Sequence, residues 1–338
     1  MADIKIYTLK GGNVEMVVTN FGARVMKLFV ADRDGKMADI VLGYNTIEEY
    51  LDNKGERFLG AVCGRFANRI AKGQFTIDGV EYNVPINNNG QSLHGGLKGI
   101  DSVVWDVVNA TDSRIDFRYV AADGEEGYPG ELTIDMSYEL TDNNEYVIEY
   151  KATTTKKTHV NLTHHSFFNL RGEGNGTVNE HTMMINAEQF IPIDNVSIPT
   201  GDIDDVEGTP FDFRVAKVIG QDLGVKFTQL DMGAGYDHCW VLVGDQGEMK
   251  LAAVTADPES GRRMSVYTDQ KGIQFYGGNF FDGKTVSKDG KGAYDYRGAL
   301  ALETQLFPDT PNQPHFPSTI LDEGEVYTHT CIYKFDTI

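Results

Sequence analysis

The sequence predicts an all-β chain, folded as one large antiparallel β-sandwich with few short helices. Three observations carry this. Segments with a two-residue apolar period recur along the chain, the pattern of strands with one dry and one wet face. Short turn signals join them, in which Gly, Asn and Asp supply dihedrals that other residues avoid, and Gly alone accounts for 37 residues. Strands do not alternate with helical segments, which disfavours a doubly wound parallel sheet.

Taken in order, "VEMVVTN" from Val14 and "ARVMKLFV" from Ala23 are β-branched runs, followed by the turn signal "DRDGK". "TIEEYLDN" places Glu49 three residues after Thr46, a capping box that predicts a very short helix. "IDGV" from Ile77 is a further turn. "LTIDMSYEL" alternates cleanly, with Leu132, Ile134, Met136, Tyr138 and Leu140 on one face. After the turn "TDNN" comes "EYVIEYKATTT", so the two runs read as an antiparallel hairpin with one wet face. "DFRVAKVIGQ" from Asp212 is expected to be a second short helix. "FPDTPNQPHFP" spaces Pro308, Pro311, Pro314 and Pro317 three apart. The interleaved Phe307 and Phe316 favour a rigid loop held on the core over a polyproline ligand. No linker or internal repeat divides the chain, so residues 1–338 are expected to form a single domain, with extra strands or long loops.

Composition narrows the function. The 338 residues carry 50 acidic against 30 basic side chains, a formal charge of -20, with no Lys/Arg cluster. Nucleic acid is therefore not an expected partner, and strongly anionic substrates are disfavoured. No apolar stretch approaches the roughly 20 residues needed to span a bilayer. "MADIKIYTLK" lacks a basic region followed by an apolar run, so no leader is expected as written, and a cytoplasmic location is the default. Cys63, Cys239 and Cys331 are widely spaced and odd in number, which predicts buried free thiols. Metal-ligand spacings such as CxxC and HExxH are missing, so no metal is expected.

Five segments place polar groups among apolar ones, where such groups must be paired or functional. They are "GRFANRI" (64–70), "NNGQSLHGG" (88–96), "NLTHHSFFNL" (161–170), "YDHCW" (236–240) and "ALETQLFPD" (301–309). Arg69 is either a structural ion pair or a fixed donor to a hydroxyl. His94 precedes Gly95 and Gly96, which permit close approach to the backbone. Asp237 caps a turn or reads a ligand. Glu303 is the most informative, because "GALALETQLF" is nearly apolar around it. A desolvated carboxylate there would titrate high and could act as a general base, or it could simply pair with Arg69. His164 and His165 are adjacent, so in an extended strand their rings face opposite sides.

With these motifs in one order, the chain resembles the aldose 1-epimerase (galactose mutarotase) family over nearly its whole length. The resemblance runs from "TNFGARVMKLFVADRDG" and "DIVLGYNTIEEY" through "GRFANRI", "LHGG", "NLTHHSFFNL", "YDHCW" and "GIQFYGGNF" to "LETQLFPDTPNQPHFPS". It implies the mutarotase supersandwich and interconversion of α and β anomers of free aldoses such as galactose and glucose, without metal or cofactor. It also implies roles by position. Glu303 matches the general base, His165 the general acid, and His94 a group near the ring oxygen and anomeric region. Asn68, Arg69, Asp237 and Gln274 match substrate-binding positions. His164 departs from the pattern, since the family usually has Asn there.

Three alternatives stand beside this reading. A sugar-binding module on the same sandwich would need no proton-transfer pair. A hexose-phosphate epimerase would need more basic groups than Arg69. A glycoside hydrolase would use two carboxylates, for which Asp237 and Glu303 are candidates. Monomer and homodimer are both compatible with the sequence.

Overall fold

The computed structural model describes residues 3–52, 55–288, 290 and 292–338. Met1 and Ala2, and Asn53 at the end of the expected first helix, lie outside the described residues. The periodic segments assemble into a nine-stranded and a six-stranded sheet, with a four-stranded sheet formed by the N-terminal runs. Neighbouring strands of the two large sheets run antiparallel. The architecture is thus the expected all-β sandwich.

The predicted hairpin forms from Leu132–Leu140 and Glu145–Thr154, with Leu132 opposite Thr154 and Leu140 opposite Tyr146. Its apolar face, from Leu132 to Leu140, is buried against the inner face of the six-stranded sheet. That second face supplies Trp240, Leu242, Ile273, Phe275, Leu300 and Leu302 to the same core. Alternation then dictates that the residues between these point to the opposite side of the six-stranded sheet.

The first helix, Ile47–Asp52, follows the capping box closely. The Thr46 amide donates to Glu49 Oε2 at 2.9 Å, and the Glu49 amide reaches Thr46 Oγ1 at 3.4 Å. The second expected helix does not form. Within 212–221 the chain makes a two-residue strand, Lys217–Val218, on the edge of the nine-stranded sheet, then a 3-10 turn from Ile219. Phe213 and Ile219 are buried while Val215 is 80% exposed, so no helical stripe exists to bury. Edge pairing with Thr182 and Met183 satisfies the backbone instead. The short helix lies further on, at Thr228–Met232. The proline-rich tract is a loop on the core, where Phe307 and Phe316 meet edge to face at 5.3 Å. All three cysteines are free and buried.

Candidate active site

Three adjacent strands each offer a polar side chain to the outer face of the six-stranded sheet. Asp237 opens the strand Asp237–Leu242, Gln274 is central in Gly272–Tyr276, and Glu303 lies within Leu300–Gln305. Their neighbours Ile273, Phe275 and Leu302 are in the sandwich core, which forces these three outward. Register sets Gln274 directly opposite Glu303 and Asp237 opposite Tyr276. Across that diagonal Gln274 Nε2 donates to Asp237 Oδ1 at 2.7 Å.

His165 arrives from a separate strand. Thr163–His165 pairs with Ala61–Cys63, and the Thr163 hydroxyl donates to the Thr304 carbonyl at 2.9 Å. This seats the strand beside Glu303 and leaves His165 Nε2 3.4 Å from Glu303 Oε1. The third wall comes from Arg69–Ile70, paired with Ser92–Leu93. Asn68 and His94 flank that pair, both with left-handed backbone, φ 65 and 52. The Asn68 amide donates to His94 Nδ1 at 3.1 Å. Gly95 has φ 91, and a Cβ there would sit 1.9 Å from the Gly64 carbonyl oxygen, so only glycine lets the loop turn His94 inward. The His94 and His165 rings then meet edge to face, centroids 5.1 Å apart.

All seven residues named from the sequence therefore converge, and each except Arg69 is buried. Arg69 does not pair with Glu303. Its Nη1 lies 4.0 Å from Asp237 Oδ2, and its Nε donates to Asn88 Oδ1 at 3.3 Å. Among the described residues Glu303 Oε2 is buried with no hydrogen-bond partner, as is Gln274 Oε1. Unsatisfied oxygens of this kind are expensive unless a ligand completes them. A surface cavity of about 530 Å³ beside Glu56 and Phe280 contains none of the seven.

Burial opposes charge on the central pair. It pushes the Glu303 carboxyl well above the usual carboxylate range; the Asp237 carboxylate adds to this and Arg69 opposes it. Burial pulls the His165 imidazolium down to about 4. His94 is held well below its ordinary value, by burial first and then by His165 and Arg69. Asp237 is raised by burial, against Arg69 and Gln274. Burial thus disfavours charge on both partners of the Glu303–His165 contact.

His94, His165 and Glu303 have the composition of a divalent-metal set, with ligand-type atoms within 4.8 Å of one another. The hydrogen bonds argue against that use. His94 Nδ1 accepts from the Asn68 amide, which places the ring proton on Nε2. Neither nitrogen of neutral His94 then has a lone pair free for a metal. The same geometry makes Nε2–H a donor directed by the backbone.

Phe58 was not apparent from the sequence. Its ring contacts His94 at 4.7 Å and His165 at 5.9 Å, forming a wall behind both imidazoles. Arg57, next to it, makes two bonds to Asp101, which is fully buried, and one to the Gly96 carbonyl. "GERFLG" carries no periodicity or motif, so only the folded contacts reveal this wall.

An aldose 1-epimerase family model matches residues 5–334. The chain belongs to the aldose 1-epimerase family. It is 43% identical to the galactose mutarotase of Bos taurus over 332 residues, covering 98% of this chain and 94% of that one. It is 37% identical to the aldose 1-epimerase of Escherichia coli, covering 98% and 95%. Its structure is similar to an aldose epimerase homologue from C. elegans, with a TM-score of 0.90, 30% identity and coverage of 99% and 100%. Family membership carries isomerase activity on aldoses as the general function.

Within this epimerase frame the position of His164 is decided by alternation. Its ring lies on the core side, among Tyr138, Tyr146 and Tyr333. The Tyr138 hydroxyl donates to the Ala23 carbonyl at 2.7 Å, so His164 Nδ1 is the donor in its 3.3 Å contact with that oxygen. Nε2 accepts from Ser166 Oγ at 2.6 Å. Asn has an amide donor and acceptor but lacks the ring that fills this aromatic cluster. His164→Asn is expected to change the mutarotation rate less than about threefold while costing about 1–3 kcal/mol of stability. Polarimetry and urea unfolding on the same sample check both halves. A large rate loss would place His164 in the chemistry.

Proposed function

We propose that the protein interconverts the α and β anomers of free hexoses such as galactose and glucose, by general acid/base ring opening and reclosure. The observation that carries this is the buried 3.4 Å contact between His165 Nε2 and Glu303 Oε1. Anomer exchange needs a proton taken from the C1 hydroxyl and a proton given to the ring oxygen. Glu303 takes the first and His165 supplies the second. The open aldehyde then rotates about its C1–C2 bond, and reclosure runs with the two roles exchanged. These are proton transfers and a bond rotation, which groups of this chain supply.

Substrate binding sets the protonation states. A sugar hydroxyl donating to the unpartnered Glu303 Oε2 favours the carboxylate, and the shared proton passes to His165. His94 Nε2–H and Arg69 serve as donors to charge at the ring oxygen and at the adjacent anomeric oxygen. Asp237 and Gln274, locked to each other at 2.7 Å, read hydroxyls further round the ring. Activity falls at acid pH when the pair takes a second proton and at alkaline pH when it loses its only one, so the profile is bell-shaped.

The test is a polarimetric trace of freshly dissolved α-galactose. Sugar binding without acceleration would make the protein a carbohydrate-binding module. Phenol release from an aryl galactoside would instead make Asp237 and Glu303 a hydrolase pair. Asp237→Asn is expected to raise KM for galactose by about 10–100-fold, with a smaller change in kcat, since a charge-assisted hydrogen bond is lost equally from ground and transition states. Initial rates across galactose concentrations check this, and an unchanged KM would remove Asp237 from sugar binding.

A further inference from the structure

An enzyme that accepts both anomers must accommodate the C1 hydroxyl in two positions. A sugar carrying both hydroxyls on C1 at once is the hydrated form of a sugar lactone, and it is the tetrahedral intermediate of lactone hydrolysis. Glu303 offers two oxygens at this point: Oε1 at 3.4 Å from His165 Nε2, and Oε2, buried with no partner. His94, with its proton fixed on Nε2 by the Asn68 amide, provides a donor for an anionic oxygen. We propose that the same site hydrolyses aldono-1,5-lactones, the six-membered cyclic esters in which C1 of the aldose is oxidised to a carbonyl. The inference rests on the epimerase reading of Glu303 and His165.

The chemistry balances without an added reagent. Water bonds to C1 and gives a proton to the Glu303 carboxylate, while the carbonyl electron pair moves to O1. That oxygen, held by the His94 N–H, takes the proton from Glu303 to complete the hydrate. Collapse repeats the ring-opening step of anomer exchange. The Glu303 carboxylate takes a proton from one C1 hydroxyl, the carbonyl reforms, and the C1–O5 bond breaks with its electron pair on O5. His165 protonates O5. The proton on Glu303 returns to His165 across their contact, and the open-chain aldonic acid leaves. No atom is oxidised or reduced. Relative to anomer exchange, the one new requirement is a water molecule at the second hydroxyl position.

The experiment is a pH-stat measurement of acid release from D-glucono-1,5-lactone near pH 6, with the full-length enzyme and buffer blanks. Mutarotation of α-glucose is measured on the same preparation. The expected result is an enzyme-dependent acceleration of about 10²-fold, from one positioned acid/base pair. Glu303→Gln and His165→Asn are each expected to return it to the buffer rate. Acceleration that persists in both variants would place the activity elsewhere and overturn the proposal. So would a lactone that slows mutarotation competitively but opens at the buffer rate. If the preparation accelerates neither reaction, the epimerase reading fails along with this one; mutarotation without lactone opening overturns the lactone proposal alone.

Discussion

Glu303→Gln is expected to lower the mutarotation rate by about 10²–10⁴-fold while leaving galactose affinity within about threefold. The amide has the volume and hydrogen-bonding shape of the carboxylate but cannot take the C1 proton at neutral pH. Burial makes this substitution mild for folding, because it removes a group whose charge is already opposed by desolvation and by Asp237. His165→Asn is expected to reach a similar floor by removing the proton that the ring oxygen needs. The double variant should be no slower than the worse single one, because two groups that exchange one proton act as a unit. Polarimetry gives the rates and titration calorimetry the affinities. A wild-type rate in either variant would remove that residue from the proposed chemistry. A rate loss matched by an equal loss of affinity would make the residue a binding group only.

Stability is expected to fall steeply as the pH drops from about 7 to 5, with net uptake of about three or more protons on unfolding. Seven of the eight histidines are buried and held below their ordinary value, chiefly by desolvation. His159, His165, His181 and His329 are pulled to about 4, and His164 and His238 to about 3. Each stays neutral in the fold but binds a proton once unfolded, near pH 6.5. The unfolded state therefore holds more protons between about pH 4 and 6.5, and the stability these groups carry at neutral pH is lost as the pH falls. Glu56, Asp237, Glu303 and Asp309 have the opposite sign. Their raised values mean that the folded state holds the extra protons above about pH 4 to 4.5, which offsets part of the histidine effect. The histidines outnumber these carboxyls seven to four, so the net effect is a loss of stability as the pH falls below about 6.5. Urea midpoints at half-unit pH steps measure it. His164→Asn should reduce the proton uptake by about one. A flat profile above pH 5 would mean that the histidines titrate in the fold.

Part of the site was legible because strand geometry converts spacing into direction, while Asn68, Gln274 and the acid and base roles were implied by the family resemblance. "LTIDMSYEL" revealed its buried face by alternation alone, and the folded hairpin keeps that face. Adjacency placed His164 and His165 on opposite sides, since no bulge interrupts the strand Thr163–His165. The apolar run around Glu303 marked a carboxylate that folding would desolvate. The helix expected in "DFRVAKVIGQ" failed for the converse reason. Its β-branched residues have weak helix preference, and the sheet edge at Thr182 and Met183 pairs with Lys217 and Val218 instead. Phe58 and Asp101 left no signal, because each acts through contacts with residues distant in sequence.

The sequence by itself determined the all-β class, the opposite facing of His164 and His165, and the apolar setting of Glu303. Those follow from backbone stereochemistry and two-residue periodicity, which are local. Tertiary structure alone decided that Arg69 answers Asp237 rather than Glu303. It also decided that the Asn68 amide fixes the His94 proton, and that His165 Nε2 lies 3.4 Å from Glu303 Oε1. Those depend on the distance between separate strands and on the water that their packing removes, and neither quantity is written in any one segment of the chain.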